Sequence, residues 1–229
     1  MRHQKQRTPF SHKFKHLATD FNLDSKKLHR FLQKYEIKYV KAVKEMESKK
    51  HDFNFGLSDN RTTREYIYDL CEGWIMEDIL ALVLKRELKD QNPNINLELN
   101  GCEVSEEGRE IYWSNLKVSS QADLIIKSGA KKIKVEVQFA NNDLKVYNIK
   151  ETKVHQAKKD KALILVFSLA LKKCFFINPN NPKDLEKGSL IRNEAWGGKE
   201  TYAFKKEVIS SQMGFLSLQR FAQILGGAF

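Results

Sequence analysis

The sequence predicts an α/β (α+β) fold: a central mixed β-sheet flanked by helices, preceded by an N-terminal helical region. Three observations carry that expectation. Residues 95–99, 121–126, 132–139, 161–167 and 173–177 are short runs rich in β-branched and aromatic side chains, the length and composition of strands. Residues 25–50 and 62–88 instead repeat their apolar positions at the helical period. The resulting order along 95–177, strands, then a helix, then two more strands, suits a mixed sheet with helices on both sides.

The chain of 229 residues has room for one large domain, or one domain with a small appendage. The expected division is a basic helical region over 1–55, a possible helix-turn-helix, and a larger domain over 56–229. No run of about eighteen apolar residues is present, so no membrane partner is expected. The basic N-terminus lacks an apolar stretch behind it, which argues against a secretory signal. Cys71, Cys102 and Cys174 are odd in number and widely spaced, so they form neither a zinc motif nor a disulfide framework. A cytoplasmic location with free thiols is the expectation. No phosphate-cradling glycine loop and no Ser/His/Asp or Cys/His arrangement stands out, so no nucleotide cofactor is expected.

The net charge of +11 is unevenly placed. Residues 1–50 hold 14 Lys and Arg against 5 Asp and Glu, residues 51–120 hold 7 against 14, and residues 121–229 hold 19 against 10. Two basic blocks flank an acidic one. A polyanion is the partner this pattern suits, although a solvated basic surface has the same composition.

Taken in order, residues 1–12 read as a loose arm. Leu17, Ala18 and Phe21 mark a short helix, and Asp24 or Ser25 caps a second helix on which Leu28, Phe31 and Leu32 recur. This short helix, turn and basic helix resemble a helix-turn-helix, with Lys26, Lys27, Arg30 and Lys34 displayed on the second helix. Two helices packed on a core give the same pattern. Residues 51–61 form a loop rich in Asn, Gly, Ser and Asp. The helix over 62–88, capped by Thr62 or Thr63, places Leu70, Trp74, Ala81, Leu84 and Leu88 on one arc. Glu77 falls inside that arc, whereas Glu65, Asp69, Glu72 and Glu87 fall opposite it and read as solvated. An inward carboxylate needs a partner, either a cation or a salt bridge. Residues 110–113 alternate like a further strand. Residues 143–160 read as a helix with a basic face of Lys150, Lys153, Lys158 and Lys159. Residues 183–200 read as an irregular polar loop, 201–204 as an alternating segment, and 216–225 as a terminal helix.

The most informative stretch is Gln121-Ala-Asp-Leu-Ile-Ile followed by Lys132-Ile-Lys-Val-Glu-Val-Gln-Phe. On a strand, Lys134, Glu136 and Gln138 share one face. Pairing the two segments as a hairpin brings Asp123 close to Glu136. Two carboxylates at one point repel each other, and a hard divalent cation neutralises them. An ordinary hairpin with alternating polar positions has the same sequence pattern.

Asp123 and Glu136-Val-Gln138 resemble the motif of the PD-(D/E)xK nuclease superfamily, with the restriction endonucleases as the most similar branch. The resemblance covers roughly residues 62–177. Ala122 stands where that family often has Pro, and Gln138 stands where it usually has Lys, a Glu-x-Gln variant of the motif. The resemblance implies a restriction-endonuclease-like fold and a Mg²⁺-dependent endonuclease that hydrolyses phosphodiester bonds of double-stranded DNA at a short specific site. It also implies a type II restriction system and a homodimer matching a palindromic site. Asp123 and Glu136 would hold the metal with the Val137 carbonyl, Glu77 would join from the preceding helix, and Gln138 would bind the attacking water or a phosphate oxygen. Lys134, Lys150 and Lys153 are candidates for the missing cation. Arg192, Asn193 and Lys199 in the 183–200 loop are candidate DNA contacts alongside Lys26, Lys27, Arg30, Lys150 and Lys153. A repair or junction nuclease is compatible with the same chemistry. A non-catalytic DNA-binding protein that uses the N-terminal helix pair is the alternative from another class.

Overall fold

A helical turn, α1 (Phe10–Lys13), begins directly after Pro9. The computed structural model describes residues 8–48, 61–100, 104–105, 108–109 and 121–228. The strand expected at 110–113, most of the 51–61 loop, and Cys102 lie outside the described residues. The Cα traces cluster into two compact units, 1–76 and 77–229. The sequence placed the division at 55/56. The first half of the long helix α4 (Thr63–Gln91) belongs instead with the N-terminal helices.

In the first unit, α1 is followed by α2 (Leu17–Asp20) and α3 (Ser25–Ser48). Residues 10–12 are not part of a loose arm, because the Phe10 side chain is buried, stacked on Tyr68 at 4.6 Å and edge-on to Tyr39 at 6.1 Å. Burying a ring of this size contributes about 2–3 kcal/mol, enough to hold a short segment in place. Asp24 caps α3 by accepting from the Lys27 N–H at 2.8 Å. Leu28, Leu32, Tyr35, Ala42, Val43 and Met46 form the buried side of α3. Thr62 and Glu65 bond reciprocally at the start of α4, Thr62 N–H to the carboxylate at 2.8 Å and Glu65 N–H to the hydroxyl at 3.2 Å. Glu65 is therefore part of the cap. Glu72 is half-buried in an ion pair with Lys13 and does not lie on a fully solvated face.

The second unit is built on the expected mixed sheet. Its strands are β1 (Asn96–Leu99), β4 (Leu124–Ser128), β5 (Lys131–Ala140), β7 (Ala162–Ser168) and β8 (Lys173–Ile177), in the order β1-β4-β5-β7-β8. β5 and β7 run parallel, and the other pairs are antiparallel. A two-stranded ribbon, β2 (Val104–Ser105) and β3 (Gly108–Arg109), lies between β1 and β4 in sequence. Helix α5 (Glu151–Asp160) links β5 to its parallel neighbour. It places Val154 and Ala157 in one cluster with Ile164, Val166, Phe175 and Ile177. Helix α8 (Leu218–Gly226) covers the opposite face, where Phe221 packs on Phe176 at 5.6 Å.

Two further expectations, both about elements of the second unit, need correction. Residues 143–160 are not a single helix, because β6 (Val146–Lys150) precedes α5. Tyr147 and Ile149 alternate with Val146 and Asn148, and both are buried, so period two wins over period 3.6 there. Residues 183–200 are not an irregular loop. They hold the helical turn α6 (Pro182–Leu185), β9 (Ser189–Asn193), a 3₁₀ turn (Glu194–Trp196) and the start of β10 (Lys199–Lys205). β6, β10 and β9 make a second, antiparallel sheet. Its Tyr147 and Phe204 pack on Phe175 of the main sheet, with ring centroids 5.5 and 6.3 Å apart. Beyond β10, the helical turn α7 (Lys206–Val208) and a π-turn (Ile209–Met213) lead to α8.

Candidate active site

The β4–β5 hairpin sets the site. Its turn is two residues long, since Ser128 pairs with Lys131, and Gly129 adopts φ +57°, a conformation that favours glycine. Leu124 pairs with Val135, so Asp123, one residue before β4, stands opposite Glu136. A slip of one residue would turn Glu136 to the other face of the sheet. Asp123 is further positioned by two bonds. Its carboxylate accepts from the Val137 N–H at 2.7 Å, and its own carbonyl accepts from the Asn100 N–H at 2.8 Å. The Asn100 amide also donates to the Ala122 carbonyl at 2.8 Å, tying the end of β1 to the segment that carries Asp123.

Glu136 and Gln138 share the sheet face of Ile164 and Val166, their register partners on β7. That face is apolar where α5 and the second sheet cover it, and the two polar side chains of β5 lie beside the apolar patch. The Glu136 side chain is only 12 % exposed and is ion-paired to Lys153 of α5. Burial pushes the Glu136 carboxyl up to about 7, and the neighbouring Asp123 charge adds to the rise, while Lys153 opposes it. Burial works against the Lys153 charge. The carboxylates of Glu136, Asp123 and Glu77 outweigh it and raise the ammonium's affinity for its proton. Three carboxylates thus act on one ammonium, with Glu77 supplied by α4 and one of its oxygens enclosed.

Sequence reasoning placed Asp123, Glu136 and Glu77 in one group; the hairpin register sets Asp123 opposite Glu136, and all three carboxylates favour the charged form of Lys153. Lys153 was expected either as the missing cation or as a DNA contact, and the helix carries its side chain to Glu136. Val154 and Ala157 were the usable signal. A helix that buries them puts Lys153 at the rim of its buried side. Lys150 is not on that helix. It ends β6 and lies 5.8 Å from the Trp196 ring. The Gln138 amide donates to the Val137 carbonyl at 2.9 Å, so two of the residues expected around a metal contact each other. Asn100 was missed, because its partners are more than twenty residues away and no local pattern announces them.

Arg192 and Asn193 lie on β9 and Lys199 on β10, within one hairpin. Arg192 is exposed and paired with Glu194 at 3.1 Å. Gly198 adopts φ +73°, and a Cβ there would meet the Arg192 guanidinium at 2.8 Å. The turn thus needs this glycine for its backbone conformation, while the exposed Arg192 side chain could move aside. Lys26, Lys27 and Arg30 are exposed on α3, in the other unit. α2 is a single turn of four residues, so the paired helices of a helix-turn-helix are not formed there.

The donor set fits a hard divalent cation. It is made of carboxylate oxygens, and besides the burial that raises Glu136 the Asp123 charge adds a repulsion that a cation would relieve. Among the described residues no three His, Cys, Asp or Glu side chains converge into a complete protein-only metal centre. Cys71 and Cys174 are buried free thiols, each pushed up to about 12 by burial, and take no part in the site.

No helix among the described residues is long and apolar enough to cross a membrane. No family model matches the chain, and no curated protein matches it in sequence. Solved structures do match. One is the 1.6 Å structure of Hjc, a Holliday junction resolvase from the archaeal hyperthermophile Archaeoglobus fulgidus, at 14 % identity and a TM-score of 0.39, covering 67 % of this chain and 98 % of that one. A likeness at that level assigns no activity to this chain.

Proposed function

We propose that this protein is a divalent-metal-dependent nuclease that hydrolyses phosphodiester bonds of double-stranded DNA, of the type II restriction kind, working as a homodimer on a short palindromic site. The observation that carries this reading is the juxtaposition of Asp123 and Glu136 across a register-locked hairpin, with the Lys153 ammonium beside them. Asp123 and Glu136 would hold Mg²⁺, with the Val137 carbonyl as a further oxygen. Bound Mg²⁺ lowers the pKa of its water and screens the phosphate charge.

The chain's own groups divide the remaining work. The Val137 N–H fixes the orientation of the Asp123 carboxylate. Burial raises the Glu136 carboxyl to about 7 with no cation bound, so holding Mg²⁺ would displace its proton and metal affinity would rise with pH. Lys153 supplies the positive charge that the motif carries at the position of Gln138, and from there it can stabilise charge on a phosphate oxygen. Gln138 orients groups as a neutral hydrogen-bond donor and acceptor. Glu136 and Asp123, with a smaller contribution from Glu77, favour the charged form of Lys153.

The test is cleavage of supercoiled plasmid and λ-length DNA with Mg²⁺ against EDTA. Wild-type protein is expected to yield discrete fragments with Mg²⁺ alone. Asp123→Ala and Glu136→Ala are each expected to lower the rate by at least 10³-fold while a gel shift persists. Undiminished cutting by either variant would end this assignment. A gel shift with no cutting under any divalent ion would mark a binding protein.

A further inference from the structure

We infer that the solvent face of α3 is a strip that follows the phosphate backbone of double-stranded DNA, adding affinity without reading bases. The choice of DNA as polyanion rests on the nuclease reading above; the strip itself is a property of the helix. At 100° per residue, Lys26, Arg30, Ile37, Lys41 and Lys44 fall within an arc of about 60°, opposite the buried side, and Lys34 flanks them. All five cations are exposed, and Ile37 in their midst is 68 % exposed. From Lys26 to Lys44 the strip is about 27 Å long at 1.5 Å per residue. B-form DNA offers a negative charge every ~1.7 Å of its axis over that length.

Two features separate this strip from an ordinary solvated helix face. First, its neighbours one turn apart carry like charge: Lys26 beside Arg30, and Arg30 beside Lys34. Each such pair costs the helix a few tenths of a kcal/mol. A helix stabilised by its own surface would interleave Glu there. Of the three acidic residues of α3, Glu36 accepts from the Ser11 N–H and Glu47 is bonded to Arg64, while Glu45, one turn beyond Lys41, flanks the strip at its edge. Second, the apolar side of α3 is used up in its own unit's core. An anionic lipid surface needs an apolar face to insert beneath the charges, and only Ile37 and Val40 remain outside. The cations are mostly Lys, point charges suited to phosphate, and α2 is too short to aim them at base edges.

The experiment measures binding of the full-length protein to fluorescein-labelled 30-base-pair duplexes by anisotropy, in EDTA, between 50 and 200 mM KCl. The variant Lys34→Gln/Lys41→Gln/Lys44→Gln is expected to flatten the slope of log K against log salt by about 2–3. The loss should be equal on duplexes of unrelated sequence. The variant Lys34→Arg/Lys41→Arg/Lys44→Arg is expected to keep the wild-type slope. If the triple Gln variant does not fold by circular dichroism, Lys41→Gln alone is read, with a change of about 0.9 expected. An unchanged slope overturns the inference. So does tighter wild-type binding to phosphatidylserine vesicles than to duplex, lost in the same variant. A shifted slope in a protein that cuts nothing would keep the strip and remove the nuclease; cutting with an unshifted slope would do the reverse.

Discussion

At the residue scale, Glu136 and Lys153 decide what the site can do. The Glu136 carboxyl titrates near 7 in the folded chain, against an ordinary value of 4.5. The folded state therefore binds the extra proton between those two values. That contribution favours folding at low pH and is lost as pH rises from about 4.5 through 7. Its full size is on the order of 3 kcal/mol, since one pKa unit corresponds to about 1.4 kcal/mol. Urea unfolding in EDTA is expected to show wild-type stability falling between pH 5 and pH 8 more steeply than that of Glu136→Gln. Parallel profiles would mean the carboxyl is not held as the structure shows. For Lys153, replacement by Met is expected to slow cleavage by about 10²–10³-fold, the usual loss when one charge-stabilising group is removed. Adding Gln138→Lys to that variant restores a cation from the neighbouring strand, so a partial return of rate is expected in the same plasmid assay. Full activity of Lys153→Met would assign the positive charge elsewhere.

At the element scale, the hairpin and the aromatic anchor matter most. Asp123 and Glu136 meet because a two-residue turn at Gly129 fixes one register, and each residue of β4 then has a single partner on β5. In the other unit, Phe10 is the anchor, 1 % exposed against Tyr68 and Tyr39. Phe10→Ala is expected to destabilise the first unit by about 3–5 kcal/mol, from the lost ring and the cavity left behind. Guanidinium denaturation followed by tryptophan and far-ultraviolet signals would show it. A cost under about 1 kcal/mol would restore the loose arm that composition suggested. These elements also show how local pattern can mislead. The 143–160 segment has enough Lys and apolar spacing for a helix, but Tyr147 and Ile149 serve a strand paired with β10. That pairing partner lies some fifty residues further on, beyond any local window. The 183–200 segment is polar for a related reason: β9 is an edge strand, and its residues are largely exposed.

At the scale of the whole molecule, the charge blocks and the assembly state are the testable quantities. The chain has a mass of 26.7 kDa, and the restriction reading requires two copies for a two-fold symmetric site. Analytical ultracentrifugation of the protein on a duplex carrying its mapped site is expected to give a protein mass about twice that of one chain. One copy per duplex at saturation would point to a nuclease that cuts without symmetry.

The sequence by itself determined the class of the fold, the hairpin, the acidic pair and the inward Glu77. Each follows from a period of two or 3.6, a glycine turn, or a carboxylate on an apolar arc, all of which are local. Only the tertiary structure decided that Lys153 sits beside Glu136, that Asn100 secures the segment before β4, and that a second sheet packs on the first. Those facts depend on residues far apart in the chain meeting over a shared buried face, and no short stretch of sequence records which distant partner will supply the missing charge.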